Sequence, residues 1–174
     1  MIFSKLNVGC GPNLVNTYGW LNIDSYYTHI SDNFREWDIT TPIIELENDL
    51  TEKFDFVLVN HVLCTMNPYE VRSALMNLHS CLKPNGIIQI IDMDLVKVFK
   101  SYEEKRYHDI PIKEGNADFK LCMAISGYGT RKSLFTKKRM IDELKLAGFR
   151  ETETIKSSEH DTRPNESFVI EAIK

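Results

Sequence analysis

The sequence lacks the features that would assign it to a membrane protein, a disulfide-rich secreted fold or a basic nucleic-acid-binding class. None of its apolar runs approaches the roughly 20 residues that a transmembrane helix needs. Positive charge is not in excess, because the 174 residues carry a formal net charge of −4. That balance argues against a general electrostatic grip on nucleic acid or anionic lipid. Length and composition indicate one globular domain with a sizeable core.

Cysteine and histidine are few and irregularly spaced. No CxxC pair and no HxxxH face occurs, which argues against a disulfide framework, and we identify no metal site. A strand-like segment begins almost at Met1 and leaves no room for a signal peptide. We therefore expect a protein of the reducing cytoplasm. The four cysteines are Cys10, Cys64, Cys81 and Cys122.

Apolar, β-branched runs alternate with helical patterns along the chain, and this alternation predicts an α/β sheet. The run at 87–91 is almost continuously apolar, which is typical of a strand covered on both faces. The segments 34–38 and 151–156 are weaker strand candidates. The stronger predicted strands are 5–9, 20–24, 54–60, 86–92 and 168–173.

Two helices have clear sequence signals. In 69–82, apolar residues recur on one stripe, and Pro68 stands at the start, where its missing N–H costs little. Thr136 is the predicted N-cap of a helix over 136–147. We also expect a helix over 94–108. The stretch 109–135 has no clear periodicity, so it is either a functional lid or substrate loop, or a helix with a weak pattern.

Two glycines end the first predicted strand, and a carboxylate ends the second. In open α/β sheets, ligands bind beyond the carboxyl ends of the strands. Gly9 and Gly11 allow the backbone to turn sharply and approach a ligand closely. Asp24 can accept hydrogen bonds from the two hydroxyls of a ribose. Asp38 can accept one from an adenine amino group, with Ile39 packing on the ring, so these positions predict a slot for adenosine.

The residues after the turn distinguish between nucleosides. A dinucleotide-binding turn has the pattern GxGxxG, and Leu14 stands here in place of the third glycine. The short stretch before Trp20 leaves little room for a helix that would bind a pyrophosphate. A ligand without phosphates therefore fits better. A nucleotide-binding oxidoreductase remains an alternative, with Leu14 as the main objection.

Several motifs, taken in order, resemble class I S-adenosylmethionine-dependent methyltransferases. "LNVGCGPN" resembles the glycine-rich first motif, "WLNID" the acidic second motif and "EWDIT" the adenine-side motif. "FDFVLVNHVL" and "LHSCLKPNGIIQIIDMD" are similar to the fourth strand and to the helix–turn–fifth-strand block. "LAGF" precedes the last two strands. The resemblance covers nearly the whole chain and looks closest to a short, single-domain subgroup.

The resemblance implies a Rossmann-like, doubly wound, seven-stranded sheet in the order 3-2-1-4-5-7-6. Its last strand would be antiparallel, and the whole would form a three-layer sandwich. Residues 1–174 would be one methyltransferase domain. No helix precedes the first strand in this sequence, so we expect 95–135 to form the substrate wall and much of the lid.

The same resemblance implies that the chain binds S-adenosylmethionine and releases S-adenosylhomocysteine. Gly9 and Gly11 would lie on the methionine and ribose side, and Asn60 and His61 beneath the sulfonium. Asn7 replaces an acidic residue of the family pattern. The implied cofactor-binding residues are Asn7, Val8, Gly9, Cys10, Gly11, Asp24, Ser25, Asp38, Ile39, Asn60 and His61.

His61 follows the fourth strand directly and is the candidate general base for a hydroxyl acceptor. A histidine that caps the next structural element is the alternative. The expected acceptor is a small molecule or a glycan, with a nucleic-acid base disfavoured by the acidic charge, and the oligomeric state is open. A catalytically silent cofactor-binding module also remains possible because of the departures at Asn7 and 64–66.

Two further segments have both a functional and a structural interpretation. "NPY" at 67–69 resembles the signature of amino methyltransferases that act on DNA, but helix initiation is the preferred interpretation because "HVLCTM" separates it from the fourth strand. The segment 131–139 places five basic residues around a helix start. It indicates either an anionic substrate group nearby or, as we prefer, a solvated surface.

Overall fold

The computed structural model describes residues 3–10, 14–15, 17–24, 39–40, 43, 50–106 and 115–174. The strands are β1 Lys5–Val8, β2 Trp20–Asp24, β3 Ile39–Thr40, β4 Phe54–Asn60, β5 Leu82–Met93, β6 Arg150–Ile155 and β7 Ser167–Ile173. The α-helices in these ranges are α1 Pro68–Cys81, α2 Leu95–Glu103, α3 Ala117–Ser126 and α4 Lys137–Leu146.

All seven strands form one sheet in the order β3-β2-β1-β4-β5-β7-β6. β1 to β5 pair in parallel, and β7 lies antiparallel between β5 and β6. The predicted Rossmann-like sheet, its strand order and its antiparallel last strand are therefore confirmed.

The reversed direction of β7 has a consequence for the ligand edge of the sheet. Met93, the last residue of β5, pairs with Ser167, the first residue of β7. The segment 156–166, which we call the β6–β7 loop, therefore lies at the edge where the parallel strands end. Ligands of open α/β sheets bind at that edge.

The main core lies between one face of the sheet and helices α1 and α4. Val71, Leu75 and Leu78 are fully buried on the predicted stripe of α1. Full burial of such a side chain stabilises a fold by about 1.5–3 kcal/mol. Leu82 is buried too, but it belongs to β5, which begins four residues earlier than the predicted 86–92. The pairing of β4 with β5 shifts register after Phe54, so the extra residues join the sheet irregularly.

The helix starts follow their capping chemistry. The backbone N–H of Asn67 donates to Glu70 Oε2 at 2.8 Å, and the two residues form a capping box with Pro68 in the first turn. The "NPY" segment is thus a helix start, as preferred from the sequence. Thr136 Oγ1 accepts from the N–H of Arg139 at 3.2 Å and caps α4 as predicted.

The region after β5 differs from its sequence-based description. Asp94 caps α2 by accepting from the N–H of Val96 at 3.1 Å, and α2 ends at Glu103 rather than at 108. The stretch 109–135 contains α3, so its alternative interpretation as a weakly patterned helix is correct for that part. Only Ala124 of α3 is buried, which explains the weak periodicity. In the part of the chain that the structure describes, every helix is too short or too polar to cross a bilayer.

The second face of the sheet carries a smaller apolar cluster around Trp20 and Leu58. The β6–β7 loop closes over its ligand end. Ser158 Oγ donates to Gln89 Oε1 at 2.6 Å, and the ring of His160 meets Trp20 edge-on at 5.7 Å. These contacts position the loop against the residues of the candidate site.

Candidate functional site

The glycine turn after β1 is fixed by its neighbours. Gly9 has φ of +61°, and a Cβ built on it would lie 2.2 Å from Val62 Cγ2. The N–H groups of Gly9 and Cys10 both point to the carbonyl of Ile23, at 2.9 and 3.3 Å. The Cys10 side chain is small and buried. Only glycine fits the first position, because any side chain would be both strained and in collision.

Asn7 has a structural partner across the sheet. Its Nδ2 donates to Asn22 Oδ1 at 3.0 Å, and the same oxygen accepts from the N–H of Val15 at 3.0 Å. Asn22 Nδ2 donates back to the carbonyl of Val15 at 3.3 Å. This buried pair joins β1 to β2 and holds the segment after the glycine turn. The residue that departs from the family pattern is therefore well accommodated.

Asp24 lies at the ligand edge, as the last residue of β2. Ile23, which precedes it, pairs with Val8 in β1 and with Ile39 in β3. The carbonyl of Ile23 also accepts from the glycine turn, so Asp24 comes directly after the residue that holds this turn. The Val8 side chain is buried in the main core, which leaves only its backbone available to a ligand. Of Ile39 the backbone alone is described. The predicted site residues Gly11, Ser25 and Asp38 lie outside the described residues.

A cleft of about 250 Å³ opens beside the glycine turn, and we call it the first cleft. Asn60 Nδ2 donates to the carbonyl of His160 at 2.7 Å, while Asn60 Oδ1 is buried without a hydrogen-bond partner among the described residues. A buried acceptor in that state costs about 1–3 kcal/mol, so a ligand with a donor group would be favoured there. The first cleft is lined by Asn7, Gly9, Cys10, Leu14, Val15, Leu58, Asn60, Glu159, His160 and Thr162.

A second cavity of about 180 Å³ lies on the other side of the β4 end, and we call it the second cavity. Its walls come from the turn after β4, from α3 and the turn that follows it, and from the β6–β7 loop. Part of this wall belongs to the segment 95–135. The second cavity is lined by His61, Cys64, Thr65, Met123, Ala124, Gly127, Thr130, Arg131, Arg163 and Glu166.

His61 lies between two polar side chains. Its Nδ1 is 3.8 Å from Asp92 Oδ1, and its Nε2 is 3.3 Å from Ser167 Oγ, which donates to the carbonyl of Arg163 at 2.9 Å. The Nδ1 distance exceeds that of a hydrogen bond, and this atom has no such partner among the described residues. The following 3₁₀ turn has Val62 as its N-cap, so His61 does not cap it.

Asp92 is 1% exposed and holds the turn that carries His61. It accepts from the backbone N–H of Cys64 at 3.1 Å and from that of Met93 at 2.7 Å. No motif marks Asp92 as a site residue, although it stands near the end of β5 much as Asp24 ends β2. Burial and then the charge of Asp92 raise the pKa of the Cys64 thiol to about 12, so this residue stays protonated and is no nucleophile.

Glu166 is the second charged residue that the sequence analysis missed. It immediately precedes β7, is 4% exposed and borders the second cavity. Burial raises the pKa of this carboxyl group, while Arg163, Arg131 and His61 act in the opposite direction. The predicted antiparallel direction of the last strand was the signal that could have found it, since that direction brings the start of β7 to the ligand edge.

The fold resembles those of solved methyltransferases. An S-adenosylmethionine-dependent methyltransferase from Archaeoglobus fulgidus has a TM-score of 0.65 at 13% identity, over 99% of this chain and 86% of that one. A 1,6-didemethyltoxoflavin-N1-methyltransferase from Burkholderia thailandensis, with S-adenosylhomocysteine bound, has a TM-score of 0.59 at 16% identity, over 98% and 70%. The chain spans 46% of the citrinin polyketide synthase CMeT domain. At these identities the likeness shows a common fold.

Sequence comparison shows a similarity over part of the chain. Curated protein sequences include no significant match. A family model described as a methyltransferase domain matches residues 6–90, which include the glycine turn, Asp24, Asn60 and His61. Residues 6–90, just under half of the chain, are thus similar to a methyltransferase domain. The motif-based resemblance is thereby confirmed, and the matched range of the methyltransferase domain extends from β1 into β5.

The methyltransferase domain presents features that fit the family's cofactor. Asn60 Oδ1, which has no hydrogen-bond partner within the described ranges, offers an acceptor to an ammonium group, and the apolar side chains of Leu14 and Leu58 line the same cleft. The carboxylate of Asp24 lies at the end of β2, which is separated from β4 by β1. The described residues therefore give the site both apolar and polar walls, as is common for small-molecule sites.

Proposed function

We infer that the protein transfers a methyl group from S-adenosylmethionine to a small-molecule or glycan acceptor. One observation carries this proposal: two consecutive residues at the end of β4 line two different cavities, Asn60 the first cleft and His61 the second cavity. A methyl transfer needs a donor and an acceptor site that are adjacent but separate. The two cavities at the end of β4 are close to each other, and each has its own lining, which fits both conditions.

The cofactor would be held by the strand ends β1 to β4. The backbone of the glycine turn would face its methionine and ribose part, and Asp24 would accept from the ribose hydroxyls. Asp38 and Ile39 would contact the adenine. Asn60 Oδ1, for which the described residues supply no hydrogen-bond donor, would accept from the ammonium group of the cofactor. When bound, the cofactor supplies an electrophilic methyl group on a sulfonium.

The protein itself would align the cofactor with the acceptor, exclude water and accept a proton. Alignment of two reactants can lower a barrier by about 7–11 kcal/mol. The β6–β7 loop shields the ligand edge through the Asn60–His160 hydrogen bond. His61 is the proposed base, with Asp92 Oδ1 3.8 Å from its Nδ1.

The size of the second cavity supports a small acceptor group. Its volume of about 180 Å³ is close to that of an engineered cavity of about 150 Å³ that binds benzene. It lies below the range of about 300–1,000 Å³ that is usual for drug-sized ligands. The cavity would take a whole small metabolite or one end of a glycan.

Calorimetry and turnover test the proposal together. The wild-type protein should bind S-adenosylmethionine and S-adenosylhomocysteine with micromolar affinity and should not bind NAD. Binding of NAD alone would overturn the proposal and favour an oxidoreductase. Tight cofactor binding without turnover on a broad acceptor panel would instead favour the catalytically silent module.

A further inference from the structure

The Glu166 side chain is buried at the second cavity with unused hydrogen-bonding capacity. Its Oε1 has no hydrogen-bond partner among the described residues. The backbone on either side is fixed, because the carbonyl of Glu166 accepts from the N–H of Asp94 at 2.7 Å and its own N–H donates to the carbonyl of Arg163 at 3.0 Å. Buried carboxylate oxygens normally accept a hydrogen bond. Because the backbone of Glu166 is fixed, a ligand in the cavity is the group that could donate to Oε1.

Two arginines border the same cavity. The guanidinium of Arg131 donates to the carbonyl of Ala124 and is thereby held against α3. Arg163 lies in the β6–β7 loop, three residues before Glu166. Two guanidinium groups, those of Arg131 and Arg163, and one carboxyl group, that of Glu166, line the cavity, so positive side chains outnumber acidic ones there. Guanidinium groups bind carboxylates and phosphates through paired hydrogen bonds.

We propose that Glu166 is an acceptor-binding residue and that the acceptor is a small hydroxy acid or amino acid. Its amine hydrogens, or its single hydroxyl hydrogen, are shared between Glu166 Oε1 and His61, the proposed base, and its acidic group binds Arg131 and Arg163. This inference rests on the proposed function and names the substrate class of the same site. It also assigns a use to Arg131, the first of the five basic residues in 131–139.

Ligand-observed NMR with S-adenosylhomocysteine present tests the chemistry of the acceptor. The probes are lactate, serine, 4-hydroxybenzoate and 4-aminobenzoate, each compared with an analogue that lacks the hydroxyl or amine and with one whose acid is an amide. We expect at least one complete probe to bind more tightly than both of its analogues. Failure of all four probes to bind, or equal binding of a probe and its analogues, would overturn the inference.

Variants then test the residues. Glu166→Gln should weaken the binding probe by about 10- to 100-fold, the range expected for a hydrogen bond to a charged group. Glu153→Gln, an exposed glutamate of β6, is the matched control and should change nothing. Arg163→Ala should weaken the binding of the acidic probe more than the binding of its amide analogue. Unchanged probe binding by Glu166→Gln, in a variant that still melts cooperatively, would contradict the assignment.

The affinity for S-adenosylhomocysteine distinguishes a failure of the acceptor assignment from a failure of the proposed function. Glu166→Gln should leave that affinity unchanged, because Glu166 lines the second cavity and not the first cleft. If no variant and no wild-type sample binds S-adenosylhomocysteine, the proposed function itself fails. If all of them bind it and Glu166→Gln binds the probes normally, only the acceptor assignment fails.

Discussion

Asn60 and His61 are neighbours in sequence, yet their side chains face different cavities. Asn60 is the last residue of β4 and lines the first cleft on the second face of the sheet. His61 has φ of +54°, a left-handed conformation, and its ring lines the second cavity. This change of direction at one strand end puts the two side chains into two different cavities, which the proposed function assigns to the cofactor and the acceptor.

Gly9→Ala should destabilise the protein by about 1–3 kcal/mol. The new methyl group would collide with Val62 Cγ2 in addition to straining a positive φ. Urea unfolding measures the loss. The double variant Gly9→Ala, Val62→Ala should recover the part that arises from the collision.

Gly129→Ala is the matched control for Gly9→Ala. Gly129 has φ of +82°, but a Cβ there would have nothing within 4 Å among the described residues. This control therefore reports the backbone strain alone. Equal destabilisation by the two single variants would show that Val62 does not require a glycine at the turn.

Glu166 should give the stability a definite pH dependence. Burial raises the pKa of this carboxyl group in the folded state above its unfolded value, against the opposing charges of Arg163, Arg131 and His61. The folded state then binds the proton more tightly, so stability falls as pH rises from the unfolded pKa, about 4.3, through the folded pKa. Glutamine carries no such proton and avoids this loss.

Denaturant unfolding of wild type and Glu166→Gln from pH 4 to pH 8 checks this sign. The variant should gain stability relative to wild type as pH rises, and the difference should level off above the folded pKa. A wild type that gains relative to the variant over the same interval would mean that the ionised carboxylate is stabilised in the fold, contrary to our account.

The four cysteines should react very unequally. Cys10, Cys64 and Cys81 are buried, and burial raises the pKa of both Cys64 and Cys81, whereas Cys122 is exposed on α3. Brief treatment of the folded protein with iodoacetamide at pH 8 should therefore modify Cys122, as read by peptide mass spectrometry. Modification of all four after unfolding in urea is the control. Rapid labelling of Cys64 in the folded protein would indicate an accessible thiolate in the second cavity.

The individual strands were predictable because the sequence signal of each strand is local. Strands 20–24 and 54–60 were predicted with their observed bounds, since each is a short apolar run that ends in a polar residue. The sheet order followed from the resemblance, as no periodicity reveals which strands are neighbours. The start of β5 was missed because "KPNG" is typical of a turn, whereas here Lys83 and Asn85 extend an irregular strand, with Asn85 at a φ of +64°.

The candidate site was only partly predictable, because its second half depends on distant segments. Glu166 follows His61 by more than one hundred residues, and only the antiparallel pairing of β7 with β5 brings them to one cavity. His160 reaches the first cleft through its backbone carbonyl, which no side-chain pattern encodes. The positions of Asn7, Asn60 and His61 near the strand ends followed directly from the motifs.

The ribose contact of Asp24 is the most direct test of the account. Calorimetric titration with S-adenosylhomocysteine should compare wild type, Asp24→Ala and Asp142→Ala, the last being a control in which a surface carboxylate of α4 that pairs with Lys138 is removed. We predict micromolar binding by wild type and Asp142→Ala and at least a roughly tenfold loss in Asp24→Ala. Equal affinity of all three proteins would contradict the account, because the carboxylate at the end of β2 would then have no part in holding a nucleoside.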